Sequence, residues 1–136
     1  MIADIDTNVL VSAYLRGRKP KAVVEFISES LQYEWVVSIE ILNEYIEVLQ
    51  RKKFRFNEQQ IQEWLRTFSG LRVIDDSETM FNFPKDPKDE KFFRCTIAAD
   101  ADFLITGDRH FKGISQIETT KIFSVSEFFR IEMSDK

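Results

Sequence analysis

Cysteine is nearly absent from this sequence, because Cys95 is the only one among its 136 residues. A single cysteine excludes an internal disulfide and most cysteine-based zinc sites. Long hydrophobic runs are missing too, since no apolar stretch approaches the roughly 20 residues that span a bilayer. The first residues also lack the basic segment and cleavage site of a signal peptide. We therefore expect a cytoplasmic protein without a membrane segment.

The sequence also lacks an excess of basic residues. Its 19 Lys and Arg are outnumbered by 23 Asp and Glu, which gives a net charge of −4. A protein that coats nucleic acid through general electrostatics usually has a basic surface, so that class is disfavoured. Acidic residues gathered around bound cations would reverse the local sign, so an enzyme that contacts a few phosphates stays compatible with this charge.

Hydrophobic and aromatic residues are plentiful. They include thirteen Phe within a hydrophobic fraction of 43%, which predicts an aromatic core. The length fits one compact domain, and the sequence contains no repeat, low-complexity tract or Gly/Ser linker. We expect one domain that covers residues 1–136.

Apolar periodicity predicts strands that alternate with helices. Strands are expected at 1–5, 33–37, 71–74, 103–106 and 121–123. Six helices are expected. The first follows a cap at Thr7 or Asn8 and ends before a loop at 16–20, and the second runs from about Val23 to Leu31. The other four are expected at 39–50 after a Ser38 cap, at 58–69, at 89–100, and after a Ser126 cap. This alternation indicates an α/β fold with a parallel sheet covered on both faces.

Four acidic residues are expected near one edge of this sheet. Asp6 directly follows the first strand, and Asp108 follows the fourth strand two residues after Thr106. Because sites in parallel sheets lie beyond the carboxyl ends of the strands, both side chains should project from that edge. Asp89 opens a predicted helix, and Glu44 lies one turn inside another.

Each of the four acids also has a purely structural explanation. Asp6 can cap the first helix, Asp89 can be a first-turn acid favoured by the helix dipole, and Asp108 can be a turn residue. Glu44 shares its helix with other acids, so it can belong to a solvated face. The sequence alone leaves these alternatives open.

Glu44 differs from the other acids of its helix in its predicted position. The apolar residues of that helix are expected on one face, formed by Ile39, Leu42, Ile46 and Leu49. At about 100° per residue, Glu44 falls at the margin of this face, whereas Glu40 and Glu47 fall opposite it. A partly buried carboxylate is costly without a cation or another partner, which favours a cation site at Glu44.

The acids suit a hard divalent cation better than zinc. Carboxylate and water oxygens are preferred ligands of Mg²⁺ and Mn²⁺, while the sequence offers one Cys and one His. Phosphodiester hydrolysis builds negative charge on the non-bridging oxygens, and such ions neutralise it and lower the pKa of a bound water. Asp6, Glu44, Asp89 and Asp108 are therefore candidate metal-binding and catalytic residues.

Segments spread in order over almost the whole chain resemble the signature segments of PIN domains. They are 6–10 (DTNVL), 38–45 (SIEILNEY), 86–92 (DPKDEKF), 102–108 (DFLITGD) and 124–129 (SVSEFF). Among PIN domains, the sequence is most similar to the stand-alone proteins grouped with toxins of toxin–antitoxin pairs, the VapC-like ribonucleases.

This resemblance implies a three-layer α/β/α fold and an endoribonuclease that cuts RNA with Mg²⁺ or Mn²⁺. It also implies a cognate antitoxin as partner and frequent homodimerisation. By motif position it assigns metal ligands and supporting polar residues: Asp6, Glu44, Asp89 and Asp108 as ligands, with Asn8 and Thr106 in support. The adjacent acids Asp89 and Glu90 leave a one-residue choice for the third ligand.

Two basic clusters are candidates for contact with phosphate. Arg16, Arg18 and Lys19 lie near the predicted active edge. The run 51–56 (RKKFRF) interleaves basic and aromatic residues, as a single-strand contact does. Its bland alternative is a solvated helix end with favourable C-terminal cations. Cys95 falls on the apolar side of its helix, so we expect it in the core.

Two other functions compete with the nuclease. The segment DIDTN resembles the start of haloacid-dehalogenase phosphatases, in which Asp4 would be the nucleophile and Asp6 the acid. Asn8 departs from the Thr or Val of that motif, and the chain is short for that fold. In a PIN domain Asp4 is also unusual, and it would be an outer-shell acid or lie at a sheet margin.

The second alternative is a non-catalytic protein that keeps the fold and binds a partner.

Overall fold

The computed structural model describes residues 1–79, 89–107 and 115–133, and a six-stranded sheet runs through them. The strands are β1 (Ile2–Ile5), β2 (Glu34–Ser38), β3 (Arg72–Ile74), β4 (Phe103–Thr106), β5 (Gln116–Ile117) and β6 (Thr120–Ser124). Their order across the sheet is β3-β2-β1-β4-β6-β5. Neighbouring strands are parallel except β5, which is antiparallel to β6.

Helices cover both faces of the sheet. They are α1 (Thr7–Leu15), α2 (Arg18–Glu29), α3 (Ile39–Leu49), α4 (Glu58–Phe68), α5 (Glu90–Ala99) and α6 (Val125–Phe128). Helix α5 packs against β1 to β4, whereas α2 and α6 pack together on the opposite face. The predicted three-layer α/β/α fold is confirmed, with six strands instead of five. Within the described residues, no helix combines the length and apolar character needed to cross a bilayer.

An aromatic cluster fills the layer between the sheet and helices α2 and α6. Phe103 of β4 contacts Phe128 with ring centroids 5.7 Å apart, and Tyr33 lies 5.8 Å from Phe128. Phe26 of α2 completes the cluster at 5.4 Å from Tyr33. Burial of each such ring contributes about 1.5–3 kcal/mol, so the Phe-rich composition was a correct indication of an aromatic core.

The strand register brings the carboxyl ends of the central strands to one edge. Ile5 pairs with Ile105, and Thr106 pairs with Ser124. The backbone of Asp6 continues this pairing, because its N–H donates to the Ile105 carbonyl oxygen at 2.9 Å. The residues that follow β1 and β4 therefore meet at the same edge of the sheet.

Several predicted helix boundaries were wrong by one to five residues. Asp6, rather than Thr7 or Asn8, caps α1. Helix α2 already begins at Arg18, inside the predicted loop at 16–20, because Pro20 falls in its first turn, where a missing N–H costs nothing.

The ends of α2 and α6 also differ from the prediction. Leu31 lies beyond the end of α2 and is fully exposed. Ser124 caps α6 instead of Ser126, because Glu127 lies three residues after it and completes a capping box with its backbone.

The apolar face of α3 is rotated from the predicted one. Ile41, Tyr45 and Val48 are buried, whereas Ile39 is 59% exposed. Glu44 lies between Ile41 and Val48 at helical spacing, so the structure turns it further toward the interior than the predicted face did.

Candidate functional site

Asp6 lies at the point where β1 ends and α1 begins. Its side chain is buried, and its Oδ1 accepts a hydrogen bond from the Asn8 N–H at 3.1 Å. Asp6 therefore does cap the helix, as its structural explanation proposed. Capping uses one carboxylate oxygen and holds the charge at the carboxyl edge of the sheet, so the cap orients the side chain that the metal hypothesis requires.

Glu44 is held from two sides. The Thr7 hydroxyl donates to Glu44 Oε1, and the Lys91 ammonium lies 2.7 Å from Glu44 Oε2. The Glu44 side chain is 28% exposed and that of Lys91 only 12%. Thr7 directly follows Asp6 in the first turn of α1. Its hydrogen bond therefore places the Glu44 carboxylate of α3 next to that turn.

Asp89 precedes α5 and is buried, with 8% of its surface exposed. Its neighbour Glu90 is 34% exposed in its side chain and pairs with Arg94 at 3.3 Å. Lys91, two residues after Asp89, makes the ion pair with Glu44. The start of α5 therefore joins Glu44 at the same place, and burial distinguishes Asp89 from Glu90.

The fourth predicted acid is not among the described residues. Asp108 lies outside them, as do residues 86–88 of the DPKDEKF segment. Thr106, predicted as a supporting residue, is the buried last residue of β4, and its hydroxyl donates to the Gly107 carbonyl at 3.1 Å. Asn8, the other supporting residue, is exposed in the first turn of α1.

The basic residues predicted to bind substrate lie at the junction of α1 and α2. Arg16, Arg18 and Lys19 are all exposed. Arg18 has a left-handed backbone with φ 56°, and the Lys19 ammonium lies 5.4 Å from the centroid of the Phe129 ring. The three cations therefore face solvent where α2 begins.

Asp4 is fully buried in the centre of the sheet rather than at its margin. Its Oδ1 accepts a hydrogen bond from the Ile5 N–H at 2.9 Å. Burial raises the pKa of the Asp4 carboxyl well above its usual range, and the charges of Asp6 and Asp76 raise it further. Asp4 has no exposed surface, so a phosphate ester cannot reach its carboxyl as the phosphatase alternative requires.

Two other buried titratable groups, Cys95 and Tyr45, lie near Asp4. Burial raises the pKa of the Cys95 thiol and that of the Tyr45 hydroxyl. The Tyr45 hydroxyl donates to the Ile5 carbonyl oxygen, so it ties α3 to the end of β1. Cys95 is buried as predicted.

Sequence reasoning missed three residues that build this site. Thr7 and Lys91 hold Glu44, and Asp76 packs beside Arg94 with its Oδ2 3.6 Å from the guanidinium Nε. Thr7 and Lys91 both belong to segments that resemble PIN signatures, so the motif did contain a signal for them. Asp76 follows β3 by two residues, as Asp108 follows β4, and the same strand-end rule would have found it.

The described carboxylates fit a hard cation in chemistry, because such ions prefer carboxylate oxygens as ligands. Within residues 1–79, 89–107 and 115–133, however, no three Asp, Glu, His or Cys side chains are grouped closely enough to hold an ion. One reason is visible at Glu44, where the Lys91 ammonium already supplies the positive charge. Metal binding at Glu44 Oε2 would thus require displacement of Lys91.

The sequence and the fold are similar to those of known proteins. Residues 4–110 match the family profile described as PIN domain. An uncharacterized protein of Methanocaldococcus jannaschii is 34% identical over 109 residues, which are 77% of this chain and 69% of that protein. The fold is similar to that of a chain in the crystal structure of VapBC2 from Rickettsia felis bound to a DNA fragment from their promoter. The two chains superpose with a TM-score of 0.59 and are 20% identical, and the match covers 91% of this chain and 98% of that chain. From its sequence match, this chain belongs to the PIN domain family.

Proposed function

We propose that this chain, as a single PIN domain over residues 1–136, is a divalent-metal-dependent endoribonuclease. The observation that carries the proposal is the convergence at Glu44 of three elements that each bring a predicted acid. Thr7 joins Glu44 to the helix capped by Asp6, and Lys91 joins it to the helix that Asp89 precedes. These contacts support a site formed by acids that are separated by tens of residues in sequence.

The ion would be held by carboxylate oxygens of Asp6, Glu44 and Asp89, with Asp108 as the fourth ligand. Bound Mg²⁺ or Mn²⁺ supplies charge neutralisation at the phosphate oxygens and a water of lowered pKa. The resemblance assigns Asn8 and Thr106 as supporting polar residues. The chain's own contribution is to orient these oxygens, because the cap at Asp6 and the hydroxyl of Thr7 fix two of the side chains.

Arg16, Arg18 and Lys19 are proposed to bind RNA phosphates next to the acids. They are exposed cations at the start of α2, and phosphate contacts position a nucleic acid without reading its sequence. By its resemblance to VapC-like proteins, we extend the proposal to the toxin of a toxin–antitoxin pair. The proposed partners of this chain are therefore an antitoxin protein and a second copy of the chain in a homodimer.

The test is cleavage of a mixed set of structured and single-stranded RNAs with Mn²⁺, Mg²⁺ or EDTA, comparing wild type with Asp6→Asn. Asn remains a good helix cap, so this variant removes the charge while keeping α1. Asp100→Asn is the matched control, because Asp100 is exposed, precedes β4 at the opposite edge, and has a left-handed backbone that Asn tolerates.

We expect cleavage that needs a metal, is lost in Asp6→Asn and survives in Asp100→Asn. Cleavage that persists in EDTA and in Asp6→Asn would refute the metal-dependent site. Absence of both cleavage and Mn²⁺ binding in the wild type would instead favour the non-catalytic PIN-fold protein.

A further inference from the structure

Helices α3 and α5 are joined by two ion pairs. The Lys91 ammonium lies 2.7 Å from Glu44 Oε2, and Arg94 Nη2 lies 2.5 Å from Glu40 Oε2. Glu40 and Glu44 are four residues apart on α3, so they lie on one face of that helix. Lys91 and Arg94 are three residues apart on α5, which also places them on one face. The helix that contains Glu44 and the helix that Asp89 precedes are therefore connected twice.

Arg94 contacts two further carboxylates. Its Nη1 lies 3.3 Å from Glu90 Oε1, and its Nε lies 3.6 Å from Asp76 Oδ2. The three nitrogens of the guanidinium thus face three different acids, one on α3, one on α5 and one in the segment after β3. A lysine ammonium is a single point charge without this planar fork, so lysine at this position would keep the charge and lose the three-way contact.

The Arg94 contacts are more enclosed than ion pairs on the surface of the protein. The Arg94 side chain is 24% exposed and that of Asp76 is 14% exposed. Asp76 Oδ2 is buried and accepts no hydrogen bond from the residues that the structure describes. A buried carboxylate is costly without a compensating charge, so Asp76 depends on the guanidinium. Exposed ion pairs contribute little to stability, whereas this one fixes the position of Arg94.

The two connections between α3 and α5 differ in their relation to the proposed metal site. A cation at Glu44 Oε2 requires Lys91 to leave that oxygen, which removes one connection. The carboxylates around Arg94 are not among the proposed ligands, so the second connection does not have to break. Asp89 directly precedes α5, and its position therefore depends on what still holds the start of that helix.

We propose that Arg94 is a positioning residue that keeps α5, and with it Asp89, against α3 when Lys91 leaves Glu44. In this role Arg94 contacts neither substrate nor metal and acts through the helix that it holds. Residues that orient metal ligands from outside typically contribute about 10–100-fold to metal affinity. The inference rests on the proposed function, because it explains how one ligand stays in place while another exchanges its partner.

The first experiment measures hydrogen exchange of α5 in EDTA by mass spectrometry. Lys91→Met imitates the released lysine, and Lys91→Met/Arg94→Gln removes both connections. We expect exchange within about threefold of wild type in Lys91→Met, and exchange about tenfold faster than that in the double variant. Lys91→Met/Arg72→Gln is the matched control, because it removes an ion pair with Glu34 at the start of β3 and should behave like Lys91→Met.

The second experiment measures Mn²⁺ affinity by titration calorimetry. Loss of a positive charge near a cation site strengthens cation binding through charge alone, so Arg94→Gln separates positioning from charge. We expect its Kd for Mn²⁺ to rise about tenfold in spite of the lost charge. Arg94→Lys keeps the charge without the fork, and its Kd should rise about threefold. Arg72→Gln should bind within about twofold of wild type.

Equally slow exchange of α5 in Lys91→Met and in Lys91→Met/Arg94→Gln would overturn the proposal. Tighter Mn²⁺ binding by Arg94→Gln would also overturn it, since Arg94 would then act through its charge. If Arg94→Gln does not fold, wild-type Mn²⁺ affinity in Arg94→Lys contradicts the proposal in its place.

The two proposals fail separately, because the exchange experiment contains no metal. A wild type that binds no Mn²⁺ would refute the proposed metal site, and exchange in EDTA would then decide the role of Arg94. A wild type that binds Mn²⁺ with the same affinity as both Arg94 variants would refute only the role of Arg94.

Discussion

Lys91 brings a positive charge to the place where the acids meet. Its ammonium, 2.7 Å from Glu44 Oε2 and mostly buried, compensates a carboxylate that also accepts a hydrogen bond from Thr7. Such compensation stabilises the metal-free protein, since a partly buried charge is costly when it is left alone. The same contact opposes a divalent cation, because the ammonium has to leave before the ion can reach that oxygen.

Lys91→Met is therefore expected to strengthen Mn²⁺ binding about tenfold, which corresponds to about 1.4 kcal/mol. Titration calorimetry measures the affinity, and Lys121→Met at the start of β6 controls for the loss of one positive charge. Lys91→Met should also lower the Tm in EDTA, because Glu44 loses its partner. Unchanged or weaker Mn²⁺ binding would show that Lys91 does not compete with the metal.

Asp4 predicts a pH dependence of stability. Its folded-state pKa is raised by burial, so the native state holds a proton that the unfolded chain releases above pH about 4. The stability that the Asp4 carboxyl contributes is fully present below pH about 4. It is lost as the pH rises through the pKa of this carboxyl in the folded state. Asn keeps the acceptor for the Ile5 N–H without a titrating proton.

For Asp4→Asn we therefore expect the Tm to rise relative to wild type as the pH increases from 5 to 8. Thermal melts at each pH measure this difference. A difference that shrinks or reverses with rising pH would contradict a neutral Asp4 in the fold. RNA cleavage should be affected far less by Asp4→Asn than by Asp6→Asn.

Single residues were predictable where a local rule applied. Asp6 follows β1 and Ser38 ends β2, and each directly precedes a helix, so capping and strand-end rules located both. Lys91 was not found, because its partner lies 47 positions earlier in the sequence and no local pattern connects the two. The residues that complete the candidate site are thus the ones whose roles depend on tertiary contact.

Among the elements, α3 shows how a sequence pattern can give the right helix and the wrong face. Its seven apolar residues allow two overlapping stripes, and the structure buries Ile41 and Tyr45 while Ile39 is exposed. The hydroxyl of Tyr45 decides between them, because its bond to the Ile5 carbonyl is available only from the buried face. A pattern of apolar and polar positions does not show which hydrogen-bond partner the Tyr45 hydroxyl will have.

Ile41→Ala should lower the free energy of unfolding by about 2–5 kcal/mol, because it leaves a cavity in the core. Ile39→Ala, at an exposed position on the same helix, should change it by less than about 0.5 kcal/mol. Urea denaturation of both variants measures the difference. Similar losses for the two would mean that α3 packs through the face first predicted from sequence.

Strand β5 was missed for a different reason. It has two residues, Gln116–Ile117, and pairs with β6 through a turn in which Glu118 adopts a left-handed φ of 51°. A segment this short shows no alternation, and Glu is not a residue that marks such a turn. The five longer strands each contain an apolar or β-branched run, which is why the sequence predicted them.

At the scale of the whole molecule, metal binding should be visible as stability. An ion that binds only the folded chain contributes about 2.7 kcal/mol at one hundred times its Kd. For a chain of this length that is a rise in Tm of roughly 9 °C. Mn²⁺ should produce the rise in wild type and in Asp100→Asn but not in Asp6→Asn, and an equal rise in all three would place the ion elsewhere.

Net charge was the least informative whole-molecule property. A value of −4 argued against contact with nucleic acid, but it averages over separate regions. The buried acids at the sheet edge and the exposed Lys52, Lys53 and Arg55 have opposite signs and lie at the two ends of α3. The fold shows that these basic residues are exposed while several of the acids are buried.

The two border strands of the sheet have a consequence for self-association. β3 has three residues and β5 has two, and on β3 Arg72 is engaged by Glu34 at 2.5 Å. Because these edge strands are short and charged, they offer few backbone N–H and C=O groups for pairing with another chain. Copies of this protein are therefore poorly suited to edge-to-edge pairing into a continuous sheet or fibril. We therefore expect any association of two copies to use side chains outside these two strands, so that point mutations can strengthen or abolish it without disturbing the sheet.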